Sequence, residues 1–138
     1  MSYLPTLSPT PNIDDQPFWD YCAAGELRFQ RCSNCGRFRH PPSPCCPACQ
    51  SAAVEWVPAG DSGVLYTYSV IHHGVTPALK ARGPYNIAIV AFPQCGGVRL
   101  VSNVMDAGPD ELRIGMPVYL FWDPAESGLP LPRFVLRR

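Results

Sequence analysis

No apolar run of about eighteen residues occurs anywhere in this 138-residue chain, so the sequence predicts no membrane-spanning helix. Met1 to Pro11 has neither the basic start nor the apolar core of a secretory leader. A cytoplasmic location with reduced thiols is therefore expected. An excess of one charge is also missing: 11 basic and 11 acidic residues give a formal net charge of zero. Proteins that track a nucleic-acid backbone need a positive groove, so this balance weighs against that class. Histidine is scarce, with only His40, His72 and His73. His72 and His73 are neighbours on an expected strand; they would point to opposite faces and cannot act as one dyad. There is no Gly-x-Ser-x-Gly elbow and no carboxylate pair at a spacing that argues acid/base work. No catalytic residue is assigned, and the chain is not expected to be an enzyme by itself. No low-complexity tract is seen.

Cysteine, by contrast, is plentiful. Four of the seven form two knuckles, Cys32-Ser33-Asn34-Cys35-Gly36 and Cys46-Pro47-Ala48-Cys49-Gln50, spaced C-x2-C-x10-C-x2-C. Two thiolates in one tight turn grip one side of a metal ion, and a second knuckle completes a tetrahedron. Cys32, Cys35, Cys46 and Cys49 are thus the expected metal ligands. Four sulfurs leave no open position, so the metal is structural rather than catalytic. Zinc is favoured over iron, although four thiolates accept either. Cys46 is preferred to Cys45 as partner of Cys49, because three intervening residues would make a looser turn. Cys22 and Cys95 read as small buried apolar residues. Cys95, in a predicted turn, has an alternative reading as an exposed thiol, but no base accompanies it.

The length allows one ordinary domain or two small ones. Of the 17 prolines, 11 collect at Pro5 to Pro17, Pro41 to Pro47 and Pro124 to Pro132. They mark a loose N-terminal arm over residues 1–13, a stiff loop and a rigid late loop. A short helix follows the arm, with Asp14 or Asp15 as cap, Pro17 in its first turn and Gly25 at its end. Phe18, Trp19 and Cys22 share one face of it, which either docks on the rest of the chain or meets a partner. Short strands at Glu26 to Arg31, Arg37 to His40 and Ala53 to Val57 frame the knuckles as a small ribbon. Such a module folds because metal binds. From Asp61 the texture changes to β-branched and aromatic runs. Strands are expected at Val64 to His73, Tyr85 to Phe92, Val98 to Met105, Val118 to Trp122 and Phe134 to Leu136. Gln94-Cys95-Gly96-Gly97 supplies a hairpin turn. Five strands with a long first one suit a closed barrel of the OB type. The expected division is 1–25 arm and helix, 26–60 ribbon and 61–138 barrel, a mainly β chain. Tyr66, Tyr68, Phe92 and Phe121 could stack on bases, but they sit at strand periodicity, as core residues do.

Several segments occur in order: Pro17-Phe18-Trp19, Gly25-Glu26-Leu27, Arg31-Cys32-Ser33-Asn34-Cys35-Gly36, Cys46-Pro47-Ala48-Cys49, Tyr85-Asn86-Ile87-Ala88-Ile89-Val90 and Gly115-Met116-Pro117-Val118. Together they resemble the family called domain of unknown function thirty-five, from about Asp14 to the C-terminus. The resemblance implies an N-terminal helix, a rubredoxin-like zinc ribbon and a C-terminal OB-fold. It also implies a role as accessory subunit to a thiolase-like protein (a thiolase, acyltransferase or aldolase) acting on acyl-CoA in lipid or steroid side-chain metabolism. The alternatives are a partner of an acyl-CoA hydratase, a stand-alone acyl-CoA-binding protein and, least favoured, a single-strand nucleic-acid binder. Arg28, Arg31, Arg37, Arg39, Lys80 and Arg82 are candidate phosphate donors for CoA, with solvated or ion-paired roles at least as well supported. The sequence departs from the family pattern at the extra Cys45 and at Gln50, where glycine is common; a non-glycine residue there carries a small cost if φ is positive.

Overall fold

Pro17 lacks an N–H and has a fixed φ, which suits the first turn of a helix. In the computed structural model, which describes residues 9–124 and 128–137, α1 spans Gln16–Ala23. Residues 1–8 of the expected arm and 125–127 of the late proline loop lie outside the described residues. Asp15 takes the N-cap position, but its side chain makes no capping bond. Its carboxylate instead accepts from the Asn12 N–H at 2.7 Å, while Asn12 Oδ1 accepts from the N–H groups of Asp14 and Asp15. Gly25 closes the helix at φ +76°, letting the Glu26 N–H return to the Tyr21 carbonyl at 2.9 Å.

The ribbon is a three-stranded antiparallel sheet of β1 (Arg28–Cys32), β2 (Phe38–Arg39) and β3 (Val54–Pro58), with β1 central. The second sheet contains β4 (Ser62–Ile71), β5 (Tyr85–Phe92), β6 (Val98–Ser102), β7 (Val104–Met105), β8 (Pro117–Asp123) and β9 (Leu131–Val135). Their order is β6-β5-β4-β8-β9-β7. The single expected strand over Val98 to Met105 is broken at Asn103, and this raises the count from five to six. The break also closes the barrel: β6 pairs with β5, and β7, one residue later, runs parallel to β9. β4 curves through a bulge between Leu65 and Thr67, pairing with β8 at its start and β5 along its length. Gly63 sits at that crossing, where a Cβ would lie 2.5 Å from Val90 Cγ1. A short helix α2 (Pro77–Arg82), capped by the Thr76 hydroxyl, was not foreseen in the connection from β4 to β5.

One core runs through all three parts. Phe18 and Cys22 of α1, Leu27 and Phe29 of the ribbon, and Leu65, Val90, Phe92 and Phe134 of the barrel belong to a single buried cluster. The Gln94 side chain ties the crossing segment, donating to the carbonyls of Ala59 at 2.7 Å and Ser62 at 3.0 Å. At the barrel seam the buried Arg133 donates to Asp123 Oδ2 at 2.6 Å and to Asn103 Oδ1. The Asn103 side-chain amide in turn donates to the Asn86 carbonyl, and the Asn103 main-chain carbonyl accepts from the Phe134 N–H. These bonds lock the interruption that closes the barrel. Replacing Arg133 by Met removes the guanidinium from a fully buried carboxylate, which typically costs roughly 3–5 kcal/mol. Urea unfolding is expected to show that loss, with much of it recovered when Asp123 is replaced by Leu in the same chain.

Candidate metal centre and neighbouring surfaces

The two knuckles are built alike. In the first, the Gly36 N–H returns to the Cys32 carbonyl at 2.8 Å, the Cys35 N–H points at Cys32 Sγ at 3.4 Å, and Gly36 adopts φ +82°. In the second, the Gln50 N–H returns to the Cys46 carbonyl at 2.8 Å, the Ala48 N–H points at Cys46 Sγ at 3.4 Å, and Gln50 adopts φ +64°. Gln50 is thus held where glycine would carry no penalty. The Sγ atoms of Cys32, Cys35, Cys46 and Cys49 all lie within 4.8 Å of one another. The Cys32–Cys49 and Cys35–Cys46 separations are both 3.6 Å. A tetrahedron with Zn–S bonds of about 2.3 Å has edges near 3.8 Å, whereas a disulfide needs about 2.05 Å. The cluster therefore fits a four-sulfur metal, and a full sulfur set makes it a structural centre of the zinc type.

The surroundings favour the thiolate at Cys46 and Cys49. At Cys35 the Arg37 backbone donor pulls the thiol down, but the contact with Cys46 and burial outweigh it and push the thiol up to about 11. The Asn34 amide donates to Cys49 Sγ at 3.5 Å, and this bond leads the effects that lower the Cys49 thiol to about 6. Backbone donors, the Cys49 N–H first, lower Cys46 as well. Asn34 went unrecognised in the sequence, although its place inside the knuckle was the available signal. Cys45 is exposed and stands outside the cluster.

The other candidates do not converge on a catalytic site. Cys22 is buried, and burial pushes its thiol up to about 12; Cys95 is buried and raised for the same reason. Both match their reading as small buried apolar residues, and the alternative of Cys95 as an exposed thiol falls away. β4 ends at Ile71, so His72 and His73 lie in an exposed bend rather than on a strand. Phe18 is 3% exposed and cannot be a partner contact as drawn; Trp19, half-buried, is what that helix face leaves open. Of the possible stacking residues, Phe92 is core, Tyr68 donates to the Leu112 carbonyl, Phe121 is half-buried, and Tyr66 is exposed. They form no common platform. Arg28 pairs with Glu26 at 2.7 Å and Arg31 with Glu55 at 3.5 Å, while Arg39 is buried and donates to the Ser43 carbonyl. Arg37, Lys80 and Arg82 are exposed.

An open groove of about 690 Å³ lies where helix and ribbon meet the barrel. Its lining includes Trp19, His40, Pro41, Val101, Asn103 and Arg133. These come from well-separated segments, so no local pattern announces the groove. His40 sits with ring centroids 5.0 Å from Phe18 and 5.2 Å from Phe29. Its Nδ1 is buried and has no partner among the described residues. Desolvation lowers its pKa to about 4, outweighing the opposite pull of Asp15.

Two outcomes follow for measurement. An unfolded His40 titrates near 6.5, so between there and about 4 the unfolded chain binds the extra proton. Stability is expected to fall as pH drops through that window, by at most about 3 kcal/mol. In His40→Phe that acid-side slope should shrink, as read by denaturant melts at successive pH values. Separately, Cys46→Ser should abolish stoichiometric zinc in elemental analysis and unfold the ribbon. A variant retaining one zinc per chain would contradict the four-sulfur assignment.

Comparison with known proteins agrees with this architecture. Residues 19–55 match the family described as ChsH2, rubredoxin-like zinc ribbon domain, and residues 56–123 match ChsH2, C-terminal OB-fold domain. A probable enoyl-CoA hydratase alpha subunit of Thermomonospora curvata is 44% identical over 93% of this chain, which spans only 40% of that protein's length. A DUF35 domain-containing scaffold protein of Methanocaldococcus jannaschii is 35% identical over 71% of this chain and 65% of its own. A chain of the Ltp2-ChsH2(DUF35) aldolase structure superposes with a TM-score of 0.83 at 40% identity, covering 93% of this chain and 98% of that one. With ribbon, barrel and helix all matched in order, the chain belongs to the ChsH2/DUF35 family of zinc ribbon and OB-fold proteins.

Proposed function

We propose that this chain is a non-catalytic accessory subunit of a thiolase-fold enzyme that makes or breaks a carbon–carbon bond in an acyl-CoA. One observation carries the reading: nearly the whole length of a chain in the Ltp2-ChsH2(DUF35) aldolase is matched at 40% identity. The chemistry of this chain agrees with it. Burial keeps the Cys22 and Cys95 thiols protonated, and His40 packs against the rings of Phe18 and Phe29. In this reading Cys32, Cys35, Cys46 and Cys49 hold a structural zinc. Residues 1–25, 26–60 and 61–138 serve as arm and helix, ribbon and barrel. The location is cytoplasmic, in keeping with reduced thiols. Among the described residues no helix is long and apolar enough to cross a membrane.

Acyl-CoA is a candidate ligand of the assembled complex, with its identity set by the partner's pocket. A second reading, partner of an acyl-CoA hydratase, is favoured by the 44% identity to the Thermomonospora alpha subunit. Co-expression with a thiolase-fold protein from the same genome separates the two. The expected result is a stable complex whose carbon–carbon cleavage or condensation activity requires this chain. A monomer that neither binds that protein nor changes its rate would contradict the proposal, and gain of acyl-CoA hydration with a hydratase subunit would favour the second reading.

A further inference from the structure

Asn86 apart, β5 is apolar on both of its sides. Its inward row, Asn86, Ala88, Val90 and Phe92, is buried in the barrel, yet its outward row is Tyr85, Ile87, Ile89 and Ala91. A strand with one face in water alternates apolar and polar residues; a strand apolar on both faces is one that is covered on both. The neighbouring strands extend the outward face. Val101 of β6 stands opposite Ile89 and is 67% exposed, and Arg99 stands opposite Ala91. Tyr66, at the bulge of β4, is 46% exposed, with the Arg99 guanidinium 3.9 Å from its ring centroid. Ile87, Arg99 and Val101 also line the groove beside Trp19, so the apolar face and the groove are continuous.

Charge adds a second, independent observation. None of the 11 acidic residues falls between Ser62 and Met105, a stretch that carries Lys80, Arg82 and Arg99. Asp15 lines the adjoining groove, but β4, β5 and β6 themselves carry no carboxylate and present Arg99. The face is therefore complementary to an apolar patch bordered by carboxylates, and a second copy of it would offer Arg99 no carboxylate to pair with.

We propose that the outward face of β4, β5 and β6, centred on Ile87, Ile89 and Val101 and bordered by Arg99, is the seat of the thiolase-fold subunit, through an apolar patch rimmed with acidic residues. This rests on the accessory-subunit reading above. Arg99 stacked on Tyr66 presents a pre-positioned cation to that rim, and Val101 is the apolar anchor.

The test uses the full chain with zinc bound and the thiolase-fold protein from the same genome. Dissociation constants are measured for wild type, Val101→Asp and Arg99→Glu over a range of salt. Metal content and thermal melts verify that each variant is folded. Both substitutions are expected to weaken binding at least tenfold, with Arg99→Glu also flattening the salt dependence. Hydrogen exchange should show protection of residues 85–101 on complex formation. Wild-type affinity in both folded variants would overturn the surface while leaving the accessory reading intact. Failure of the wild-type chain to bind would overturn both. A wild-type homodimer that Val101→Asp converts to a monomer would assign the face to a second copy instead.

Discussion

Four thiol sulfurs held within 4.8 Å of one another would repel as thiolates, and the ribbon around them has little else to keep them there. Its strands contain five, two and five residues, and β3 is largely exposed. A shared cation turns that repulsion into the energy that folds the module. The knuckle turns, the Asn34 donor and the left-handed backbone at Gly36 and Gln50 all serve to aim sulfurs at one point. Because β1 is both the central ribbon strand and the carrier of Phe29, whatever fixes the sulfurs also fixes what Phe29 touches.

From Phe29 an aromatic chain crosses the molecule. Phe18, His40, Phe29, Phe92 and Phe134 follow one another at centroid distances of 4.9 to 6.0 Å. Helix, ribbon and barrel are thereby packed as a single core, and a groove remains where their surfaces fail to meet. The barrel brings its own constraint at Asn103, where the ladder switches from β5 to β9 and the Asp123–Arg133 pair holds the switch. This construction suits the proposed accessory role, which asks for fixed surfaces.

Much of this was legible in the sequence. The cysteine spacing picked out the four sulfurs that the fold gathers, because two-residue spacing is a local property of a turn. β5 runs over Tyr85–Phe92 as its continuous apolar run indicated, and Gly25 ends α1 as expected. What escaped reading was decided at long range. The break at Asn103 depends on β9, thirty residues further on, and on an arginine whose partner lies across the seam. Cys95 reads as buried, but what covers it is distant in sequence: its thiol is directed at the Pro58 carbonyl. Asp15 had the residue type of a cap, but Asn12 claimed its carboxylate first. α2 was missed because a six-residue helix leaves too little periodicity to see.

The central claim is that metal in the ribbon holds helix, ribbon and groove in one shape against a barrel that closes by its own bonds. Amide hydrogen exchange on the full chain, before and after zinc removal, addresses it most directly. The account predicts loss of protection across α1 and β1 to β3, with β4, β5 and β8 retaining theirs. Unchanged exchange in β1 to β3 after the metal is gone would contradict it.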